Sequence, residues 1–116
     1  MTTGSDGSST SKRLSGKRAF FEQLLVDGVD CIFGNPGTTE QGIIDLLPDY
    51  PSISYYLALH ESVAVGMADC YARATRKPAL VQLHIAPGLG NGIGMLYNAY
   101  VGHSPLVVYV GQSASR

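Results

Sequence analysis

The sequence predicts a three-layer α/β sandwich built on a parallel sheet. Three observations carry that prediction. CIFG (31–34), SISYYLAL (52–59), ALVQLH (79–84) and PLVVYVG (105–111) are short runs that are mostly apolar on both faces, as strands covered on both sides must be. Segments of helical periodicity separate them, and helical crossovers between such strands imply parallel pairing. The chain has 116 residues, of which 45% are apolar, so it is long and apolar enough to bury a core.

The elements follow in order. Residues 1–16, MTTGSDGSSTSKRLSG, offer almost nothing to bury, so the entropy of ordering them is uncompensated and a disordered leader is expected. From residue 17 to 116 the chain reads as one domain. Phe20, Phe21, Leu24 and Leu25 recur at helical spacing, and Gly28 supplies the C-terminal cap. The strand CIFG stops at NPG, and IIDLL (43–47) is helical in pattern and ends at Pro48. SISYYLAL is a strand rich in β-formers. The helix after it, ESVAVGMADCYAR, places Val63, Ala64, Met67, Ala68, Tyr71 and Ala72 on its buried face. ALVQLH is followed by a glycine-rich turn, APGLGNG (86–92), and then by a helix of small residues to about Tyr100. The sequence stops just past the fourth strand, so a domain cut short there is expected, because an open apolar sheet face is a poor stopping point.

Charge narrows the partners. The net charge is -1 and the pI about 6.2, which gives no broad basic surface for nucleic acid or anionic lipid. No run approaches the ~18 apolar residues of a membrane span, and no signal-peptide core follows Lys12 and Arg13. The expectation is a soluble, cytoplasmic protein without nucleic-acid or membrane partners. Cys31 and Cys70 fit no metal spacing and are read as buried free thiols.

In open parallel sheets ligands bind beyond the carboxyl ends of the strands. Three unusual loops fall there: GNPGTTE (34–40), LHES (59–62) and LHIAPGLGNG (83–92). Each admits a structural reading. Gly34, Pro36 and Gly37 can be a tight turn, with Thr38 or Thr39 capping the next helix and Glu40 in its first turn. His84 can be a hydrogen-bonded core histidine, and His60 and His103 have weaker claims to chemistry. Glu61 can be a charge at the positive end of its helix, a contribution of about 0.3 to 1 kcal/mol. Set among Leu57, Leu59, Val63 and Val65, it can instead be a poorly solvated carboxyl group with a raised pKa that shares a proton with a ligand. APGLGNG matches neither GxGxxG nor the phosphate loop, GHSP is not a GxSxG elbow, and no metal-ligand cluster appears.

Taken as an ordered set, GNPGTTE, LALHESVAVGMADCYAR and LHIAPGLGN followed by SPLVVYVGQ resemble the amino-terminal, pyrimidine-binding domain of thiamine-diphosphate-dependent enzymes, over about residues 17–113. Benzoylformate decarboxylase and the acetolactate synthases are the nearest in pattern. The resemblance implies a flavodoxin-like fold and thiamine diphosphate as cofactor, with Mg²⁺ held by a carboxy-terminal domain. It implies a 2-oxo acid substrate and a homodimer or homotetramer.

By the same resemblance Glu61 matches the glutamate that bonds ring nitrogen N1′ of the aminopyrimidine, and Asn35, Pro36 and Gly37 line the cofactor pocket. His84 matches a histidine that moves protons to and from the substrate adduct in benzoylformate decarboxylase and is missing from acetolactate synthases. Thr38 matches a serine that contacts the substrate carboxylate. Cys70 departs from the family's glycine and is expected to crowd helix against sheet. The implied activity is that of a 2-oxo acid decarboxylase or lyase when the protein is full length. An acetolactate-synthase-like carboligase and a non-catalytic truncated α/β subunit are the alternatives.

Overall fold

Two central strands, Cys31–Gly34 (β1) and Ala79–Leu83 (β3), are buried along their whole length. Ser54–Leu57 (β2) and Leu106–Val110 (β4) flank them and are more exposed, in a fully parallel sheet of order β2-β1-β3-β4. A computed structural model of the chain describes residues 13–114. Most of the expected leader lies outside that range; within it, Ser15 caps Gly16–Val26 (α1) through its hydroxyl. Helix α1 closes at Asp27, with Gly28 at φ 81° as its left-handed exit, a conformation glycine adopts at no steric cost.

Each face of the sheet has its own core. Phe21, Leu24, Ile32, Ile43, Leu46, Tyr50 and Leu80 fill the side covered by α1 and the short helix Gln41–Ile44 (α2). Phe33, Ala64, Val65, Ala68, Val81 and Leu83 fill the other, under Glu61–Thr75 (α3) and Ile85–Val101 (α4). Alternation along β3 therefore sends Leu80 and Gln82 toward α1 and α2, and Val81 and Leu83 toward α3 and α4. Asp69, buried on α3, accepts from Arg73 at 2.8 Å, from Asn98 of α4 at 3.0 Å and from Ser104, which ties the two helices to the turn before β4.

Several local expectations are corrected. APGLGNG is not a turn but the first part of α4. Pro87 sits in the first helical turn, where no N–H is needed, and Gly88 and Gly92 let the helix approach Glu61, Val65 and Leu83. The helix read over 43–47 ends at Ile44, and Pro48 lies inside a separate 3₁₀ turn, Leu47–Asp49. SISYYLAL is a strand only from Ser54 to Leu57.

On α3 the buried stripe runs through Ala64, Val65, Ala68, Asp69 and Ala72, so Val63 and Met67 fall on its exposed flank. Cys70 is exposed as well, turned away from the sheet, so it neither crowds the packing nor joins Cys31 as a buried thiol. Among the described residues no helix is long and apolar enough to cross a membrane.

Candidate functional site

Consecutive connections leave β1 toward β2 and β3 toward β4, in opposite directions across the sheet. The carboxyl ends of β1 and β3 therefore flank a topological switch point, where a crevice opens in folds of this kind. Residues from all three loops meet at this edge, in two clusters.

The first cluster surrounds Glu61, the first residue of α3, which is 6% exposed. Asn35, just past β1, donates through Nδ2 to Oε1 at 3.3 Å, and Asn91 of α4 donates to Oε2 at 3.0 Å. Gly88 closes one side: a Cβ there would lie 3.0 Å from Oε1, so this glycine gives the carboxylate its room.

The Asn91 amide, aided by Asn35, holds the Glu61 carboxyl below its usual pKa against the upward push of burial. The expected rise in pKa is therefore reversed. Leu57, Leu59 and Val63 are exposed and do not desolvate the group, and of the four expected neighbours only Val65 is buried. What surrounds Glu61 is amide, which favours the charged form.

The second cluster lies beside the loop after β1, on the side of α2. Glu40 is fully buried. Its Oε2 accepts from the Gly37 N–H at 2.8 Å and lies 2.8 Å from His84 Nδ1, while its Oε1 accepts from the Thr39 hydroxyl. Burial raises the Glu40 pKa, but Thr39, His84 and the Gly37 amide together bring it below the usual range.

The glycines here are spatial requirements. A Cβ on Gly37 would overlap the His84 ring, one on Gly111 would overlap Glu40, and one on Gly34 would lie 2.9 Å from Gln82 Cβ. Beneath them Tyr55 donates to Gln82 at 2.8 Å.

His84 is the residue before α4 and is partly exposed. Ile85, next to it, has φ 46°, a left-handed conformation rare for a β-branched residue, so the backbone is strained where it carries His84. Thr38 is exposed beside the crevice, and the hydroxyl engaged with the Glu40 carboxylate is that of Thr39. His60 caps α3 by accepting from the Ser62 N–H at 3.2 Å, and His103 lies in the turn after α4.

Sequence reasoning missed Asn91 and placed Glu40 only as a first-turn charge. For Glu40 a usable signal was its spacing from Gly37, three residues, the reach of a side chain folding back on a turn. For Asn91 there was none, because the segment read as a turn.

The chain is similar to known proteins in sequence and in fold. The N-terminal TPP binding domain of thiamine pyrophosphate enzymes matches residues 14–116. Benzoylformate decarboxylase of Pseudomonas aeruginosa is 48% identical over 95 residues, which is 81% of this chain and 17% of that protein. The acetolactate synthase large subunit of Haemophilus influenzae is 38% identical over 105 residues, 90% of this chain and 18% of the other. The solved thiamine diphosphate-dependent 4-hydroxybenzoylformate decarboxylase of Rhodococcus jostii superposes with a TM-score of 0.79 at 41% identity, covering 84% of this chain and 18% of that one. The chain thus spans about a fifth of the length of these relatives, and it belongs to the thiamine pyrophosphate enzyme family, within its N-terminal TPP binding domain.

Proposed function

We propose that this chain supplies the aminopyrimidine-binding side of the thiamine diphosphate site in a 2-oxo acid decarboxylase or lyase. The observation that carries the reading is Glu61: a buried carboxylate, kept ionised by two neutral amides and given room by Gly88, at the switch point of a parallel sheet. A charged acceptor with lone pairs to spare, and among the described residues no cationic side chain bonded to it, fits the N1′–H of a protonated or imino-form aminopyrimidine, which donates to it. Thiamine diphosphate, when bound, supplies a carbon nucleophile for the substrate carbonyl and an electron sink for the departing carboxylate.

The chain's own residues do the rest. Glu61 holds and exchanges a proton at N1′, and Asn35 and Asn91 fix its carboxylate in place. Asn35, Pro36 and Gly37 line the pocket wall. Thr38 presents an exposed hydroxyl for the substrate carboxylate. His84, partly exposed at the end of β3, moves a proton to or from the substrate. Mg²⁺ belongs to a diphosphate site that another domain would supply. The assembly is a homodimer or homotetramer, supported by the exposed apolar band of Val63, Ile93, Tyr97 and Tyr100 on α3 and α4.

The test is hydrogen–deuterium exchange at the cofactor's C2 in the cofactor-loaded protein, wild type against Glu61→Gln, with a melting curve for each. Exchange is expected to slow by roughly 10² to 10⁴ in a variant that still folds and binds cofactor. Exchange at the wild-type rate would return Glu61 to a helix-end charge.

A second reading, an acetolactate-synthase-like carboligase, draws on the match to the Haemophilus influenzae enzyme over 90% of the chain. Product analysis with a 2-oxo acid separates the two: an aldehyde marks decarboxylation, a condensed hydroxy-keto acid marks ligation. His84→Ala bears on the same choice, since a decarboxylase that depends on it should lose roughly 10² to 10⁴ in turnover with little change in cofactor affinity.

A further inference from the structure

His84 has a proposed role, while Glu40, the fully buried carboxylate beside it, has so far only a structural one. Every other neighbour bonded to Glu40 is a donor: the Gly37 N–H at 2.8 Å and the Thr39 hydroxyl. An ionised carboxylate only accepts, so the contact of 2.8 Å between Oε2 and His84 Nδ1 requires the proton to lie on Nδ1. A neutral imidazole carries one N–H, and with it on Nδ1 the lone pair is on Nε2. Among the described residues Nε2 makes no hydrogen bond; the ring's contacts, with Glu40 and with Thr39 at 3.4 Å, are both through Nδ1. The ring is also held in place, since Gly37 packs against it so closely that a side chain there would overlap it.

We propose that Glu40 is the positioning residue for His84, locking the imidazole as the Nδ1–H tautomer so that Nε2 is the nitrogen that exchanges protons with the substrate. This rests on the acid/base role proposed for His84. The rival is that Glu40 only ties down the turn at Gly37, a task the same carboxylate also performs. Stability alone cannot separate the two; the tautomer can.

The experiment labels the protein with ¹⁵N-histidine and records two-bond ¹H–¹⁵N correlations in increasingly alkaline buffers, reading the tautomer where the pattern no longer changes with pH. His84→Gln assigns the resonance. Wild-type His84 is expected as the Nδ1–H tautomer. In Glu40→Ala it should move to the Nε2–H form or a mixture, with the His60 and His103 patterns unchanged. An Nε2–H ring in the wild type overturns the proposal, as does an Nδ1–H ring that persists in folded Glu40→Ala. If Glu40→Ala does not fold, the wild-type tautomer decides by itself.

Turnover of a 2-oxo acid by the cofactor-loaded protein gives the second arm. Glu40→Ala should lower kcat roughly 10² to 10⁴, the loss also expected of His84→Ala, with KM nearly unchanged. Loss in His84→Ala without loss in Glu40→Ala removes the positioning role and keeps the role of His84. If neither variant loses turnover, the acid/base assignment falls and the positioning role with it.

Discussion

Glu40 and Glu61 stand at the same carboxyl edge of one sheet and are both withdrawn from solvent, at 0% and 6% exposure, yet they are built for different ends. Glu40 is closed in by the Gly37 amide, the Thr39 hydroxyl and the imidazole of His84, and Gly111 seals it from β4. Glu61 has two amide donors from separate elements and a glycine hydrogen where a side chain would be. Both have pKa values below the ordinary range. A carboxylate with no exposed surface and three donors around it can orient a neighbour. One held by neutral amides with a small residue opposite keeps its charge for a ligand. Burial and pKa direction do not distinguish them; the identity of the donors does.

The comparison breaks most visibly at Gly111. A methyl group there would overlap Glu40 Oε1 and lie 2.6 Å from Thr39 Oγ1, so the buried carboxylate must leave its donors. Overpacking and a stranded charge each cost about 1 to 3 kcal/mol, so Gly111→Ala should lose about 3 kcal/mol of stability. Urea denaturation measures it. An unchanged midpoint would mean that the seat of Glu40 has slack, and that its contact with His84 is not enforced by packing.

Acid should act on both carboxylates together, as a smaller effect. Their folded pKa values lie below the unfolded value of about 4.3. Their contribution to stability is therefore complete above about pH 5 and is lost as pH falls through the folded values. The urea midpoint should be flat from pH 7 to about 5 and fall steeply below about 4. Glu61→Gln should blunt the fall without abolishing it, since Glu40 and the likewise depressed Asp30 and Asp69 still titrate. A midpoint that does not move down to pH 3 would contradict the ionised state assigned to both groups.

How much of this was legible in the sequence depends on whether the information was local. The strand and helix alternation was readable because β1 and β3 are apolar on both faces, a pattern that survives any tertiary detail. Glu61 was readable as a charge out of keeping with its apolar sequence neighbours, and His84 and the loop at Asn35 through the motifs that carry the family resemblance. APGLGNG was misread because glycine's low helix propensity is a local property, whereas the reason for these glycines is the approach of α4 to Glu61 and Leu83. Asn91 was lost with that misreading. The Glu40–His84 pair joins positions 44 residues apart, and no local pattern announces a contact at that separation. The solvation of Glu61 was misjudged because an apolar sequence neighbour need not be a spatial one: Leu59 is adjacent in sequence but one, and 91% exposed.

The smallest predicted effect on stability sharpens the comparison furthest. Gly88→Ala adds a methyl group 3.0 Å from Glu61 Oε1 and 3.3 Å from its Cγ, a contact that a shift of a few tenths of an ångström relieves. Replacing a helical glycine by alanine contributes up to about 1 kcal/mol of stability, which offsets the crowding, so the melting temperature should change little. The position of the carboxylate should change. To relieve the contact Glu61 must move relative to Asn35 and Asn91, the two groups that fix it, and a ligand bonded to the same oxygens would feel that displacement directly. In the full-length protein, which would carry the diphosphate and Mg²⁺ site, thiamine diphosphate affinity should therefore fall about tenfold or more at nearly wild-type stability, a loss of about 1.4 kcal/mol in binding. Titration calorimetry beside a melting curve reads both quantities. If affinity and stability are both unchanged, Gly88 serves helix packing alone and the space it leaves is not part of the site. If stability collapses, Glu61 is seated as tightly as Glu40, and the distinction drawn between the two carboxylates does not hold.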